Sequence, residues 1–187
     1  MGKKFQGKKV LEVGFGNANN LVFLGTLGMS LYGVEIKADL CDAVREKLAG
    51  YGLRADLREG TNLRLPFTDN EFDFLVSWNV LHYENTEKNI LAGLREYARV
   101  LKPNGRFFLS TTGPEHKILN GATKVGPHRY QIGRDDDFRK GEIYFYFDSA
   151  EYIHHYFSQC FREIQVGRTH DFFFTETLDW FIVTGIK

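Results

Sequence analysis

Apolar residues in the first 111 positions alternate between short continuous runs and stretches with helical spacing. Short apolar runs are typical of strands buried on both faces, and apolar residues three and four apart are typical of one-sided helices. The predicted strands are 9–13, 30–36, 53–58, 72–78 and 106–111. The predicted helices are 17–28, 38–51 and 86–101. Such alternation predicts an α/β fold, a doubly wound, Rossmann-like and mostly parallel sheet with helices on both faces.

The pattern changes after Thr112. Residues 113–141 are rich in Gly, Pro, Lys and Asp, and a stretch this long without periodicity is usually a functional lid or a disordered segment. Residues 143–147 form an aromatic strand or the end of that lid, and a helix capped by Asp148 or Ser149 follows to about residue 159. Two further strands, 161–167 and 178–185, are joined by an aromatic connector, 170–177. They complete a seven-stranded sheet with an antiparallel C-terminal edge strand.

Chain length and charge limit the classes of protein to which this sequence can belong. The 187 residues fit one domain, 1–187, with 113–147 as a substrate lid or insertion. Equal numbers of basic and acidic residues, 24 each, argue against a nucleic-acid partner, which would require a basic surface. No apolar run approaches the roughly 20 residues that span a bilayer, and no signal peptide is present, so we expect a cytoplasmic protein without a membrane partner. Cys41 and Cys160 match no metal spacing, and no metal is expected.

The most informative chemistry lies where the first strand meets the first helix. Gly14 and Gly16 form a turn that brings backbone close to a nucleotide-like ligand, and Glu35 follows at the spacing that suits ribose hydroxyls. Glu12 places negative charge where a pyrophosphate-binding loop would exclude it. The turn therefore favours an adenosine ligand with a positive end. An NAD-dependent oxidoreductase is the rival interpretation, but Asn19 stands where its third glycine belongs.

Three further stretches occur in register with that turn: 60–67, 72–83 and 96–107. Together with residues 12–16 and Glu35 they make the chain resemble the class I S-adenosylmethionine-dependent methyltransferases, over about residues 8–111. The resemblance implies S-adenosylmethionine as cofactor and methyl transfer by in-line displacement at the sulfonium methyl. A protein that kept the fold and binds the cofactor without transferring the methyl group is the second alternative.

The resemblance also implies roles for single residues. Gly14 and Gly16 would admit the methionine part of the cofactor, Glu12 would help hold its ammonium, and Glu35 would bind the ribose. Thr61 stands where the family often has an aspartate facing adenine. The expected cofactor-binding residues are Glu12, Gly14, Phe15, Gly16, Asn17, Glu35, Ile36, Thr61, Asn62, Leu63 and Asn79.

The residues that would contact the methyl acceptor are harder to identify, because the sequence shows no obvious general base. Candidates by position are Asn79, His82, Tyr83, His128 and Tyr130. Because the chain reaches its first strand by Lys9, we expect residues 113–147 to cover the site; a missing N-terminal segment or a partner chain is the alternative. The lid residues expected to face the acceptor are His116, His128, Arg129, Tyr130 and Arg134. Neutral charge favours a small-molecule acceptor, and aromatics near 172–174 belong either to a homodimer surface or to the core.

Overall fold

The computed structural model describes residues 4–187. The strands are β1 Lys9–Val13, β2 Ser30–Glu35, β3 Ala55–Glu59, β4 Phe72–Trp78, β5 Leu101–Thr112, β6 Thr123–Gly126, β7 Arg129–Gln131, β8 Ile143–Phe145, β9 Arg162–Phe173 and β10 Glu176–Ile186. The helices are α1 Asn19–Thr26, α2 Ala38–Gly50, α3 Glu87–Val100 and α4 Ala150–Phe157. Two short 3₁₀ turns, Leu81–Tyr83 and Lys117–Leu119, follow β4 and β5.

Seven strands form one sheet in the order β3-β2-β1-β4-β5-β10-β9. Strands β1 to β5 pair in parallel, whereas β10 is antiparallel to both β5 and β9. The predicted α/β class, the seven strands and the antiparallel pair at the C-terminal edge are confirmed, with β9 as the outermost strand. The order reverses between β1 and β4, and ligands of such sheets bind beyond the carboxyl ends of the strands at this reversal.

Both faces of the central strands are buried, which explains their continuous apolar runs. In β1, Val10 packs into a core beneath α1 and α2, with Leu21 and Val44. Its neighbour Leu11 points to the opposite face and packs into a larger core that contains Leu94 of α3. Alternate side chains of one strand therefore hold helices on both sides of the sheet.

Helices α3 and α4 start at a capping side chain, whereas α1 and α2 do not. Ser149 caps α4 by accepting a hydrogen bond from the Tyr152 N–H, as predicted, and Thr86 caps α3 in the same way. Helix α1 begins at Asn19 rather than at residue 17, because the turn continues through Ala18, which has a φ of 57° and no side-chain cap. The amide groups at this helix start are thus left without a capping side chain.

Two predictions about irregular segments were wrong. Residues 113–141 are not all loop, because β6 and β7 pair antiparallel there and join β8 in a second, three-stranded sheet. Residues 170–177 are not a connector, because β9 runs to Phe173 and β10 starts at Glu176, leaving a two-residue turn. In both places the strands lack a clear period because neither face is uniformly buried.

The small sheet sits over the carboxyl end of β4. Its Tyr144 ring lies 5.4 Å from the ring of His82 and 4.8 Å from that of Tyr83, centroid to centroid. These two residues belong to the 3₁₀ turn that follows β4. Residues 113–147 are therefore placed beside the edge where a ligand of this fold is expected.

Candidate functional site

The turn after β1 depends on glycine at two positions. Gly14 has a φ of 68° and Gly16 a φ of 45°, a region that side chains with a Cβ rarely adopt. A Cβ on Gly14 would also lie 2.4 Å from Cγ2 of Val80. The N–H of Gly14 donates to the Val34 carbonyl at 2.8 Å, which fixes the turn against the end of β2. Bare backbone is thus presented at the carboxyl edge of the sheet, as the sequence predicted.

Glu12 is a buried acid with an incomplete set of partners. Its side chain is 1% exposed, and Oε1 accepts a hydrogen bond from Asn20 Nδ2 at 2.7 Å. Oε2 is buried and has no hydrogen-bond partner among residues 4–187. Burial raises the pKa of Glu12 to about 7, only partly offset by the Asn20 hydrogen bond, and the charge of Glu35 adds to the rise. A buried acceptor atom of this kind is costly unless a ligand completes it.

Glu35, at the end of β2, lies on the other side of the same turn. Its Oε2 accepts a hydrogen bond from the Gly16 N–H at 3.1 Å, and its Oε1 accepts one from the Ile36 N–H at 2.9 Å. Each carboxylate oxygen has a second lone pair, so the group can still accept from two hydroxyls. Two acids thus flank one glycine turn, and the charge of Glu35 helps to raise the pKa of Glu12.

Beside this turn lies a narrow slot of about 40 Å³. Its lining residues are Val13, Gly14, Val34, Glu35, Ile36, Gly60, Thr61, Asn62 and Val80. Ile36 is 63% exposed and Leu63 is 38% exposed, so apolar surface is available here for a flat ring. Pockets that hold whole ligands are about 300–1,000 Å³, so this slot can hold only part of a nucleoside.

Asn62 supports the slot rather than pointing its amide into solvent. Its Oδ1 accepts from the Tyr97 hydroxyl at 2.5 Å, and its Nδ2 donates to Glu84 Oε1 at 3.2 Å. The same Tyr97 hydroxyl lies 2.9 Å from the Ser77 hydroxyl, inside the core. The turn that carries Thr61 is therefore anchored to α3 through a buried polar chain.

Two other predicted cofactor residues, Phe15 and Asn79, have side chains engaged elsewhere, and a third, Asn17, is held through its backbone. Phe15 is 4% exposed and packs in the core beneath α1 and α2. Asn17 is exposed, and its carbonyl accepts a hydrogen bond from Lys47. Asn79 has a φ of 59°, and its Oδ1 accepts from the Ser110 hydroxyl at 2.6 Å. From these positions their backbone, rather than their side chains, borders the turns.

The predicted catalytic residues fall into two groups. His82 is buried, with Nδ1 3.4 Å from the Thr111 hydroxyl, and burial lowers its pKa to about 3. Its ring stacks on Tyr83, which is 42% exposed. Tyr144 packs on both rings and is the strand partner of Tyr130 in the small sheet. His82 and Tyr83 thus belong to one aromatic layer centred on Tyr144, whereas the Tyr130 ring packs edge-on against Tyr146, 5.5 Å away.

His128 belongs to the other group. Its ring stacks on Tyr152 of α4 at 3.9 Å, and its Nδ1 lies 3.5 Å from an oxygen of Asp148. Among the lid residues expected to face an acceptor, Arg134 is bonded to Asp136 and Glu176. The structure therefore separates His128 from the aromatic layer, toward α4.

Several functional features escaped the sequence analysis. Val80 directly follows Asn79 and lines the slot, but a lone apolar residue after a strand carries no signal. Asp179 is fully buried at the start of β10, where it accepts hydrogen bonds from Arg168 and from the Glu115 N–H. Although burial opposes it, these bonds lower the pKa of Asp179. This ion pair joins β9 and β10 to the chain leaving β5, a contact between segments far apart in sequence.

The predicted cofactor fits this donor set. The unpartnered Oε2 of Glu12 can accept from an ammonium, Glu35 has lone pairs for a ribose, and Ile36 and Leu63 offer apolar surface for adenine. Among the described residues, no group of three or more His, Cys, Asp or Glu side chains is placed to hold a metal. None of the described helices is both long and apolar enough to cross a membrane.

Comparison with known proteins points in the same direction. A family model described as "Methyltransferase domain" matches residues 10–105. The chain is 32% identical over 82 residues to the human "Probable tRNA methyltransferase 9B", covering 44% of this chain and 18% of that protein. It is 33% identical over 101 residues to a demethylmenaquinone methyltransferase of Corynebacterium kroppenstedtii, covering 54% of this chain and 40% of that protein. The chain thus spans less than half the length of these curated relatives.

Solved structures share the whole fold. A SAM-dependent methyltransferase from Methanosarcina mazei aligns with a TM-score of 0.76 at 19% identity, covering 97% of this chain and 93% of that chain. The YcgJ protein of Bacillus subtilis aligns with a TM-score of 0.67 at 16% identity, covering 97% and 92%. At these identities the likeness concerns the fold alone.

Proposed function

Because this chain belongs to the class I S-adenosylmethionine-dependent methyltransferases, we propose that it transfers the methyl group of S-adenosylmethionine to a small-molecule acceptor by in-line displacement. When bound, the cofactor supplies a methyl group already activated by a sulfonium. The protein then has to bind the cofactor, exclude water and hold the acceptor in line at a near-attack distance, which is worth roughly 7–11 kcal/mol in favourable cases.

The unpartnered Glu12 Oε2 supports this proposal more than any other observation. An acid with a pKa near 7 inside a protein is poorly stabilised, and a cationic ligand group would complete its hydrogen bonds. A dinucleotide would instead bring a pyrophosphate beside Glu12 and Glu35, where like charges repel. The cleft therefore favours a nucleoside with a positive end over NAD.

We propose that residues 113–147 form the acceptor-side cover. Through Tyr144 the small sheet packs on the turn after β4, next to the slot. In this arrangement Tyr83 and Tyr130 offer hydroxyls near the acceptor, and Asn79 fixes the end of β4 against Ser110. His82 is uncharged at neutral pH because its pKa is near 3, and so weak a base contributes little proton abstraction. Positioning, rather than general-base catalysis, is the main role we assign to these residues.

We assign the chemical class of the methyl acceptor from the net charge of the chain. The relatives are named for tRNA and for demethylmenaquinone, two different acceptor classes. Zero net charge, with 24 basic and 24 acidic residues, offers no excess of cations to neutralise a polynucleotide. A small acceptor therefore suits this chain better than an RNA.

Two measurements test the proposal. Calorimetry with S-adenosylmethionine, S-adenosylhomocysteine and NAD should show binding of the first two only. Transfer of labelled methyl groups should then be followed into a metabolite extract and, separately, into total tRNA. Binding without transfer into either pool would leave the non-catalytic alternative, and label in tRNA alone would overturn the small-molecule assignment.

A further inference from the structure

Three consecutive phenylalanines lie exposed at the turn of the β9–β10 hairpin. Phe172 is 69% exposed, Phe173 is 54% exposed and Phe174 is 95% exposed. A fourth phenylalanine, Phe138, is 88% exposed on the loop of the 113–147 segment. That loop is joined to the hairpin turn, because Arg134 donates to Glu176 at 3.0 Å. Contiguous apolar side chains of this size at one end of a protein usually mark an interaction site.

The distribution of these side chains around the hairpin indicates what kind of partner they fit. Successive residues of a strand point to opposite faces, so Phe172 and Phe173 project from opposite sides of the ribbon and Phe174 projects from its tip. A flat protein surface would cover one face of the ribbon and leave the other phenylalanine in water. A medium that surrounds the tip, such as the interfacial region of a lipid bilayer, accommodates all three.

The Phe174 ring is almost unburied by the other described residues. Phe174 has a φ of 54°, a conformation suited to glycine or asparagine and disfavoured for an aromatic residue. At 95% exposure its ring has almost no burial to compensate for that backbone conformation. Packing within residues 4–187 therefore does not explain an aromatic ring at this position.

The charges near the tip exclude a mainly electrostatic partner. Glu176 binds both Lys117 and Arg134, so these cations are already neutralised. Farther along β9, Arg168 is bonded to Asp179 and Glu115. With Asp171 close to the phenylalanines, the tip presents no positive excess of the kind that attracts anionic lipid or nucleic acid.

We propose that the hairpin tip Phe172–Phe174 inserts into the interface of a lipid bilayer and docks the protein on a membrane surface. This revises the expectation of no membrane partner, which rested on the lack of a spanning segment and not on the surface of the fold. Peripheral binding of this kind scales with the apolar area that enters the interface. It is independent of methyl transfer and is tested without cofactor or acceptor.

The experiment is co-sedimentation of the full chain with phosphatidylcholine vesicles. The test variant carries Phe172→Thr, Phe173→Thr and Phe174→Asn, which keep strand propensity and suit the positive φ, so the hairpin is retained. The matched control is Phe23→Thr, which removes a phenylalanine that is 62% exposed on α1, on a helix not packed against the hairpin. We expect the wild type and the control to sediment, and the triple variant to bind at least about tenfold more weakly.

A second readout measures insertion directly. In Phe174→Trp, the emission of the new tryptophan, taken as the difference from wild type, should shift to the blue when phosphatidylcholine vesicles are added. Adding anionic lipid or raising the salt concentration should change binding little, because the contact is apolar.

Three results would overturn the proposal. The first is no sedimentation of the wild type, with no blue shift of Phe174→Trp. The second is binding that requires anionic lipid and is lost in high salt. The third is self-association that the triple variant abolishes while vesicles bind neither protein, which would assign the tip to a second copy of the chain. Each result leaves the proposed methyl transfer to its own test.

Discussion

The Gly16 N–H donates a hydrogen bond to Glu35 Oε2 at 3.1 Å, joining the turn after β1 to the end of β2. The pairing places an acid directly beside the bare backbone where a nucleoside is expected. It also means that the carboxylate is oriented before any ligand arrives, so little reorganisation is needed on binding.

Replacing Glu35 by Ala should weaken S-adenosylmethionine binding by about 2–3 kcal/mol, because hydrogen bonds from the ribose hydroxyls to a charged acceptor are lost. Calorimetry measures the change. Glu46→Ala is the matched control, since Glu46 is an exposed acid on α2, outside the slot. Unchanged affinity in the Glu35 variant, or an equal loss in the control, would remove Glu35 from the site.

Glu12→Gln should stabilise the cofactor-free protein at alkaline pH. The pKa of Glu12 is raised from 4.5 to about 7 in the folded state, so its contribution to stability is present below pH 4.5 and is lost as the pH rises through 7. Glutamine does not titrate, so the variant should gain about 1–3 kcal/mol in free energy of unfolding above pH 7. Denaturant unfolding at acidic and alkaline pH measures this, and a variant less stable than wild type at alkaline pH would contradict it.

Cofactor affinity should depend on pH through the same carboxyl group. Below about pH 7 Glu12 is protonated in the free protein, so the affinity for a cationic ammonium should fall by up to about tenfold per pH unit. Above about pH 8 the ammonium itself loses its proton. Calorimetric titrations across this range should show the fall in cofactor affinity below pH 7 in wild type and no such fall in Glu12→Gln. If affinity still falls at low pH in the variant, a group other than Glu12 is responsible.

Gly14→Ala should destabilise the fold by about 2–4 kcal/mol, since the new Cβ adopts a positive φ and collides with Val80. Gly52→Ala separates the two effects, because Gly52 has a φ of 69° and a Cβ there would meet no atom within 4 Å. That control should lose only about 1–2 kcal/mol. Adding Val80→Ala to the Gly14 variant should recover part of the difference in denaturant unfolding. Equal losses in both single variants would show that the Val80 contact is unimportant.

Deleting residues 118–138 should abolish methyl transfer and spare cofactor affinity, because the slot is built by β1, β2 and the turns after β3 and β4. The deletion removes β6 and β7 and leaves β8 in place. Tyr130→Ala is a milder companion that removes one aromatic side chain of the small sheet, and it should lower turnover with little effect on cofactor binding. Intact turnover in the deletion variant would show that the segment is not the acceptor-side cover.

Much of the fold follows from local pattern. Strands 9–13 and 72–78 were predicted to the residue, because buried parallel strands are continuous apolar runs bounded by polar turns. The position of the two acids beside the glycine turn was predicted from their spacing around Gly14 and Gly16, since a strand–turn–helix unit fixes where such residues lie. By contrast, β6 and β7 were missed because they are short and mostly exposed, and the third strand of their sheet, β8, pairs with β7 from the far side of a loop.

The amino-acid sequence by itself determined the class of fold, the glycine turn and the two acids beside it, because each depends on residues close together in the chain. Only the tertiary structure decided that Val80 covers Gly14, that Tyr144 brings the small sheet onto His82, and that Glu12 keeps one buried oxygen unpartnered. These relationships depend on which distant segments meet. The burial of a side chain, and therefore its pKa, depends on how distant segments pack together and not on local spacing in the sequence.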